Sequence, residues 1–168
     1  MRFISYRLAE QYHLKISLFE RLVKNHIPFT TLRRQHRMRP EIADLIRVIY
    51  PELTDDDTVQ DRENIQGMGS NLFLVDHEDE EYKDEEKSVS NEHEAKFIVA
   101  LCRYLLLQGY TREQITILTP YTGQMFLLRS LMPRDVFDGV RVCPVDNYQV
   151  RRSMDLFVIA GPISEYYN

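Results

Sequence analysis

Ile115-Thr116-Ile117-Leu118-Thr119-Pro120-Tyr121-Thr122-Gly123-Gln124 changes character half-way along. Its first four residues are apolar or β-branched and of strand length, and Pro120 stops them. From about Thr122 to Leu131 the pattern turns helical, and Pro133 ends it. A strand that passes to a helix through hydroxyls and a glycine is the repeating unit of an α/β sheet. Open sheets of this kind bind ligands at such strand ends, and the amides of a helix N-terminus attract phosphate. Tyr121 suits stacking on a base or sugar, or else packing inside an ordinary strand-turn-helix.

The same alternation extends in both directions. Downstream, Val140 to Val145 reads as a strand leading into Asp146-Asn147-Tyr148-Gln149, and Leu156 to Ile159 as one more buried strand. Upstream, Asn91 and Glu94 have the spacing of a helix start. Ile98, Leu101, Cys102, Leu105 and Leu106 then line one helical face, which Gly109 can close. Leu72 to Val75 is a continuous apolar run ending at Asp76 and predicts a strand covered on both faces, strongly protected from exchange. Residues 51–70 read as loop, and the acidic run from His77 to Lys87 as a solvated surface loop. Ser17-Leu18-Phe19-Glu20 is a capping box that predicts a helix from about Leu18 to Asn25, with a short strand over Phe29 to Leu32. Ile42, Leu45, Ile46 and Ile49 mark the buried face of a further helix, with Pro40 in its first turn. The expected fold class is α/β, a mainly parallel sheet with flanking helices.

Gln35-His36-Arg37-Met38-Arg39-Pro40 lies where the chain leaves the first expected strand for that helix. Arg33, Arg34, Arg37 and Arg39 crowd into it. Guanidinium groups suit phosphate oxygens and can neutralise charge developing in phosphoryl transfer. A solvated basic loop is the plainer alternative.

With 168 residues, 43% of them hydrophobic and 28% charged, the composition is that of a globular domain. No apolar run approaches the roughly 20 residues that span a bilayer, and Met1 to Arg7 do not resemble a secretory signal. The expected localisation is cytoplasmic or nuclear, with no membrane partner. Cys102 and Cys143 are too few and too isolated for a disulfide framework or a zinc site. The net charge of −5 hides an asymmetry. Residues 1–50 carry ten Lys/Arg against four Asp/Glu, whereas residues 76–94 carry ten Asp/Glu against two Lys. The basic part is suited to polyanions.

Two apparent motifs are discounted. Gly67-x-Gly69 precedes a strand rather than a helix, so it is a turn and not a dinucleotide fingerprint. The run ending at Asp76 imitates the strand and acid that hold magnesium in nucleotide hydrolases. With no G-x-x-x-x-G-K-[ST] loop in the chain, Asp76 reads as a strand-end residue. The five His residues do not cluster at ligand spacing, and no metal site is expected.

Five segments in order, from about Tyr6 to Gln149, resemble the second RecA-like domain of superfamily 1 helicases of the up-frameshift type. They are Ser17 to Leu22, Gln35 to Pro40, Asn91-x-x-Glu94-Ala95, Ile115 to Gln124, and Val145 to Gln149. The wording is particularly similar to the large zinc-finger helicases of the NFX type, linked to RNA silencing and antiviral defence. The resemblance implies that Arg37 reaches the γ-phosphate of ATP across a cleft, with Gln35 and Gln149 at the nucleotide. It implies that Thr119, Pro120, Tyr121, Gln124, Asp146 and Tyr148 follow a nucleic-acid strand.

The chain departs from the family after Gln149, where Val150-Arg151-Arg152 stands in place of Gly-x-Glu. No phosphate loop and no second arginine-finger motif occur within it. Residues 1–26 are expected to be a linking remnant of a first RecA-like domain, and 27–168 the second domain, divergent or truncated after 149. ATP and Mg2+ are expected only in a complete helicase and not in this chain alone. The expected partners are single-stranded RNA or DNA and a first RecA-like domain. The rival reading is a non-catalytic nucleic-acid-binding or regulatory module derived from a helicase.

Overall fold

The computed structural model describes residues 16–83 and 88–148, together with the backbone of the strand Leu156–Ile159. The chain divides into two compact units, Met1–Glu63 and Asn64–Asn168.

The first unit opens with helix α1, Leu18–Lys24, where Ser17 Oγ accepts from the Glu20 amide at 3.1 Å, as the capping box predicts. Strand β1 is Arg34–Gln35 and runs parallel to β2, Thr54–Asp55. The strand expected over Phe29 to Leu32 therefore lies further along, and part of the expected 51–70 loop is its partner. The ladder decides this: the Thr54 amide donates to Arg33 O at 2.8 Å and the Asp56 amide to Gln35 O at 2.9 Å. Helix α2 is Pro40–Arg47, with proline at its first turn. Its expected buried face is only partly covered. Ala43 is fully buried, but Leu45 and Ile49 are 60% and 71% exposed. A two-residue ladder offers too little surface to cover a stripe that wide.

The second unit is built on a three-stranded parallel sheet in the order β6-β5-β7, comprising Arg141–Pro144, Ile115–Thr119 and Leu156–Ile159. Central β5 is buried along its whole length, which explains its unbroken apolar and β-branched run. Helix α3, Glu92–Leu107, carries Ala95, Ile98, Cys102 and Leu105 into the core. Helix α4, Thr122–Leu131, adds Met125 and Leu128, and the short α5, Arg134–Phe137, adds Phe137. Leu105, Ile115, Ile117 and Leu128 are completely enclosed, and each such burial contributes about 1.5–3 kcal/mol. Gly109, at φ 100, takes the left-handed conformation that follows α3.

Two expectations fail in this unit. Leu72 to Val75 is not a strand: it has no ladder partner among the described residues, and Leu74 is 76% exposed. Nor is the acidic segment simply solvated. Tyr82–Lys83 (β3) pairs antiparallel with Val89–Ser90 (β4), and Asn91 Nδ2 donates to Asp79 O at 2.9 Å. Val89 is buried in β4, which packs against the helix Thr122–Leu131, and buried Asn91 caps α3.

Candidate functional site

Among the clustered arginines, one side chain is set apart. Arg33 pairs with Glu52 at 3.1 Å, Arg34 with Asp56 at 3.6 Å, and Arg39 donates to the carbonyls of Arg62 and Glu63. Arg37 is exposed, and its guanidinium has no hydrogen bond or ion pair among the described residues. The turn beneath it is tightly fixed. Gln35 Oε1 accepts from the amides of Arg37 and Met38 at 2.8 and 2.7 Å. Gln35 Nε2 donates to Met38 O at 2.8 Å and to Asp55 Oδ1 at 2.7 Å. A primary amide has two donors and two acceptor lone pairs, so Gln35 is saturated. The Gln35 side chain thus braces the turn, with all four of its hydrogen-bonding positions taken within the chain.

Asp55 continues the brace. Its other oxygen accepts from Arg47 Nη2 at 2.6 Å, and Arg47 Nε donates to Leu53 O at 3.1 Å. The Gln35 hydrogen bond, followed by that from Arg47, holds the Asp55 carboxyl below its ordinary pKa. Asp56 is lowered as well, chiefly by the Thr58 hydroxyl and amide.

The second unit carries the other candidate residues. Parallel pairing sets Thr119 beside Pro144, so the C-terminal ends of β5 and β6 lie side by side. Strand β1 belongs to a separate two-stranded ladder. Thr119 is completely buried, and its Oγ1 both accepts from the Tyr121 amide at 3.1 Å and donates to Tyr121 O at 2.9 Å. Gln124 is 2% exposed. It accepts from the Asn91 amide at 2.8 Å and donates to Asn91 O at 3.1 Å and Glu94 Oε2 at 3.2 Å. The side chains of Thr119 and Gln124 are thus enclosed and shape the turn from within. The Gly123 amide, a candidate phosphate donor, is already engaged by Ser88 Oγ at 2.7 Å.

Surface remains at Pro120 and Tyr121, both half-buried, and at exposed Asp146. Tyr148 is half-buried, with the Arg141 guanidinium 5.1 Å from its ring centroid. Gln149 lies outside the described residues.

A sequence profile of the AAA domain family matches residues 14–159. The chain belongs to this family, an up-frameshift-type branch of the superfamily 1 helicases. It is 54% identical over 146 residues to mouse NFX1-type zinc finger-containing protein 1, covering 86% of this chain and 8% of that protein. It is 37% identical over 154 residues to the Caenorhabditis elegans homolog of that protein, covering 90% of this chain and 6% of the homolog. It is 34% identical over 144 residues to the Schizosaccharomyces pombe helicase required for RNAi-mediated heterochromatin assembly 1, covering 83% and 14%. The chain thus spans only a small part of each of these relatives. The α/β architecture, with short parallel sheets and flanking helices, is that of a RecA-like helicase domain.

For a helicase-family domain, the described residues contain no group of three His, Cys, Asp or Glu side chains suited to a metal ion. No helix among them is long and apolar enough to cross a membrane. Sequence reasoning missed Asp55, Arg47 and Ser88. Asp55 sits in Thr54-Asp55-Asp56-Asp57, whose composition signals a turn and hides how far the Asp55 and Asp56 side chains are covered. Asn91 and Glu94 were legible as a helix cap, and Asn91 Oδ1 does accept from the Glu94 amide at 3.0 Å. Their second task, holding Gln124, has no local sequence signal because the partners are about thirty residues apart.

Proposed function

We propose that this chain is the second RecA-like domain of an ATP-dependent RNA or DNA helicase. In this reading Arg37 is an arginine finger directed at a nucleotide that a first RecA-like domain holds with magnesium. Pro120, Tyr121, Asp146 and Tyr148 form a surface for single-stranded nucleic acid. The observation that carries the reading is the Arg37 guanidinium, unengaged among the described residues, on a saturated, braced turn beside Arg33, Arg34 and Arg39, which all have partners. A guanidinium free of carboxylates is ready to take phosphate oxygens in a bidentate way. The name of the fission-yeast relative connects that protein with RNA interference, which makes RNA the first substrate to assay.

The test is an ATPase assay of the chain alone and together with a first RecA-like domain bearing a phosphate loop, each with and without oligoribonucleotide. The chain alone stays at background. The pair turns over, and Arg37→Ala lowers that turnover by about a thousandfold or more, the usual worth of an arginine finger. Turnover by the chain alone, or an Arg37→Ala pair as active as wild type, defeats the reading.

A further inference from the structure

We infer that Asp55 and Arg47 are positioning residues for Arg37, acting through Gln35; the inference rests on the arginine-finger reading above. A finger is useful only if its guanidinium is delivered to one place, and that place is set by the backbone at residues 36–38. Gln35 holds two of the amides of this backbone, those of Arg37 and Met38, and one of its carbonyls. An amide side chain can rotate about its last torsion and exchange the places of its oxygen and nitrogen. Asp55 prevents this. As a carboxylate it only accepts, so the atom of Gln35 facing Asp55 Oδ1 at 2.7 Å must be the nitrogen. The oxygen of Gln35 is then obliged to face the amides of Arg37 and Met38.

Asp55 is itself fixed from two sides. Backbone pairing sets it opposite Gln35 in the β1–β2 register, and Arg47 anchors its second oxygen to the last turn of α2. Arg47 also bonds Leu53 O and Asp44, so its guanidinium is anchored as well. The side chain of Asp55 is 8% exposed. In the resulting chain, Arg47 orients Asp55, Asp55 orients the Gln35 amide, and Gln35 orients the backbone that carries Arg37. Only Arg37, at the far end, is directed away from the fold.

The test has two independent readouts on Asp55→Asn and Arg47→Met. The first uses the 168-residue chain and measures amide exchange at Arg37 and Met38 by NMR. Both amides should exchange at least tenfold faster in each variant, while the amides of Ile115 to Thr119 in the other unit are unchanged. Unaltered exchange at Arg37 and Met38 overturns the inference whatever the chain's activity. The second uses the chain paired with a first RecA-like domain. There kcat should fall by about ten- to a hundredfold with KM for ATP unchanged, the size expected for a misplacement of about 1 Å. Added to Arg37→Ala, neither substitution should cost anything more, because the residue it positions is gone. Losses that multiply with that of Arg37→Ala overturn the inference but leave the finger reading intact. An Arg37→Ala pair with undiminished turnover overturns the finger reading, while the exchange data still decide whether Asp55 and Arg47 fix the turn.

Discussion

Gln124 shows how a polar side chain can be more costly to lose than an apolar one. It satisfies the buried Asn91 amide and returns a hydrogen bond to the Asn91 carbonyl, so it joins the start of α3 to the start of α4. Gln124→Leu keeps the volume but strands the Asn91 amide, and a buried orphan of this kind costs about 1–3 kcal/mol. Urea denaturation should register that loss; an unchanged midpoint would mean water reaches the Asn91 amide. Gly123 is constrained by space rather than by hydrogen bonding alone. A Cβ there would stand 2.7 Å from Ser88 Oγ and 3.1 Å from the backbone oxygen of Val89. The hydroxyl can rotate away, but the backbone oxygen cannot, and Gly123→Ala should destabilise by about 1–3 kcal/mol through overpacking. Asp55 adds a pH dependence of known sign. Its pKa lies below the ordinary 3.8 when folded, so its contribution is complete above that value and is lost as pH falls through the lower folded-state value. Asp55→Asn should therefore destabilise at neutral pH, and the gap to wild type should narrow as the pH drops below 3.8. A gap that stays constant with pH would show that the carboxylate's charge is not what matters.

Helices were more legible than strands, for a physical reason. The bond of a cap such as Ser17–Glu20 or Asn91–Glu94 lies within four residues, so the sequence displays it. A strand is defined by a partner elsewhere in the chain. Ile115 to Leu118 was readable because it is covered on both faces and paired on both edges. Leu72 to Val75 has equally strong local character, but none of the described residues forms a ladder with it. Conversely, Arg34–Gln35 and Thr54–Asp55 are polar and pair nonetheless. Hydrogen exchange separates the two cases: slow amides across β5, and fast ones at residues 73–75. Slow exchange at 73–75 would require a ladder partner outside the described residues. The site was legible in the same uneven way. The Asp55 partner of Gln35 and the Asn91 partner of Gln124 lie twenty and thirty-three residues away, so only folding brings them close, whereas Thr119 bonds Tyr121 two residues on. Helix α3 allows a chemical check on the core, since burial pushes the Cys102 thiol up to about 11. At pH 8 only about one such thiol in a thousand is ionised, so alkylation of Cys102 should await unfolding. Rapid labelling under native conditions would mean that α3 opens readily.

At the scale of the whole molecule, charge is distributed unevenly and bears on how a polyanion would be received. Residues 76–94 hold ten acidic side chains against two lysines, and they lead directly into the start of α3. Ser88, in the same stretch, touches the first turn of α4 through the Gly123 amide at 2.7 Å. The acidic stretch therefore neighbours the turn proposed to meet nucleic acid, and at low salt it repels phosphate across a Debye length of about 30 Å at 0.01 M, against about 10 Å at 0.1 M. Binding of single-stranded RNA or DNA by this chain should accordingly be weak. Tyr121→Ala should lower the affinity by about 1–3 kcal/mol if the ring stacks on a base. Deleting the acidic segment is a poor test, because the carbonyls of Asp79 and Glu80 accept from Asn91 Nδ2 and hold the cap of α3. Glu78→Gln with Glu80→Gln removes two exposed charges and leaves those carbonyls in place. That double variant should bind more tightly than the parent at low salt, and the two should converge as salt is raised and the repulsion is screened. Fluorescence anisotropy with labelled oligoribonucleotide and oligodeoxyribonucleotide over a salt series measures both effects. A folded chain that binds neither strand at the lowest salt, with or without the two substitutions, would remove the nucleic-acid surface from the second unit.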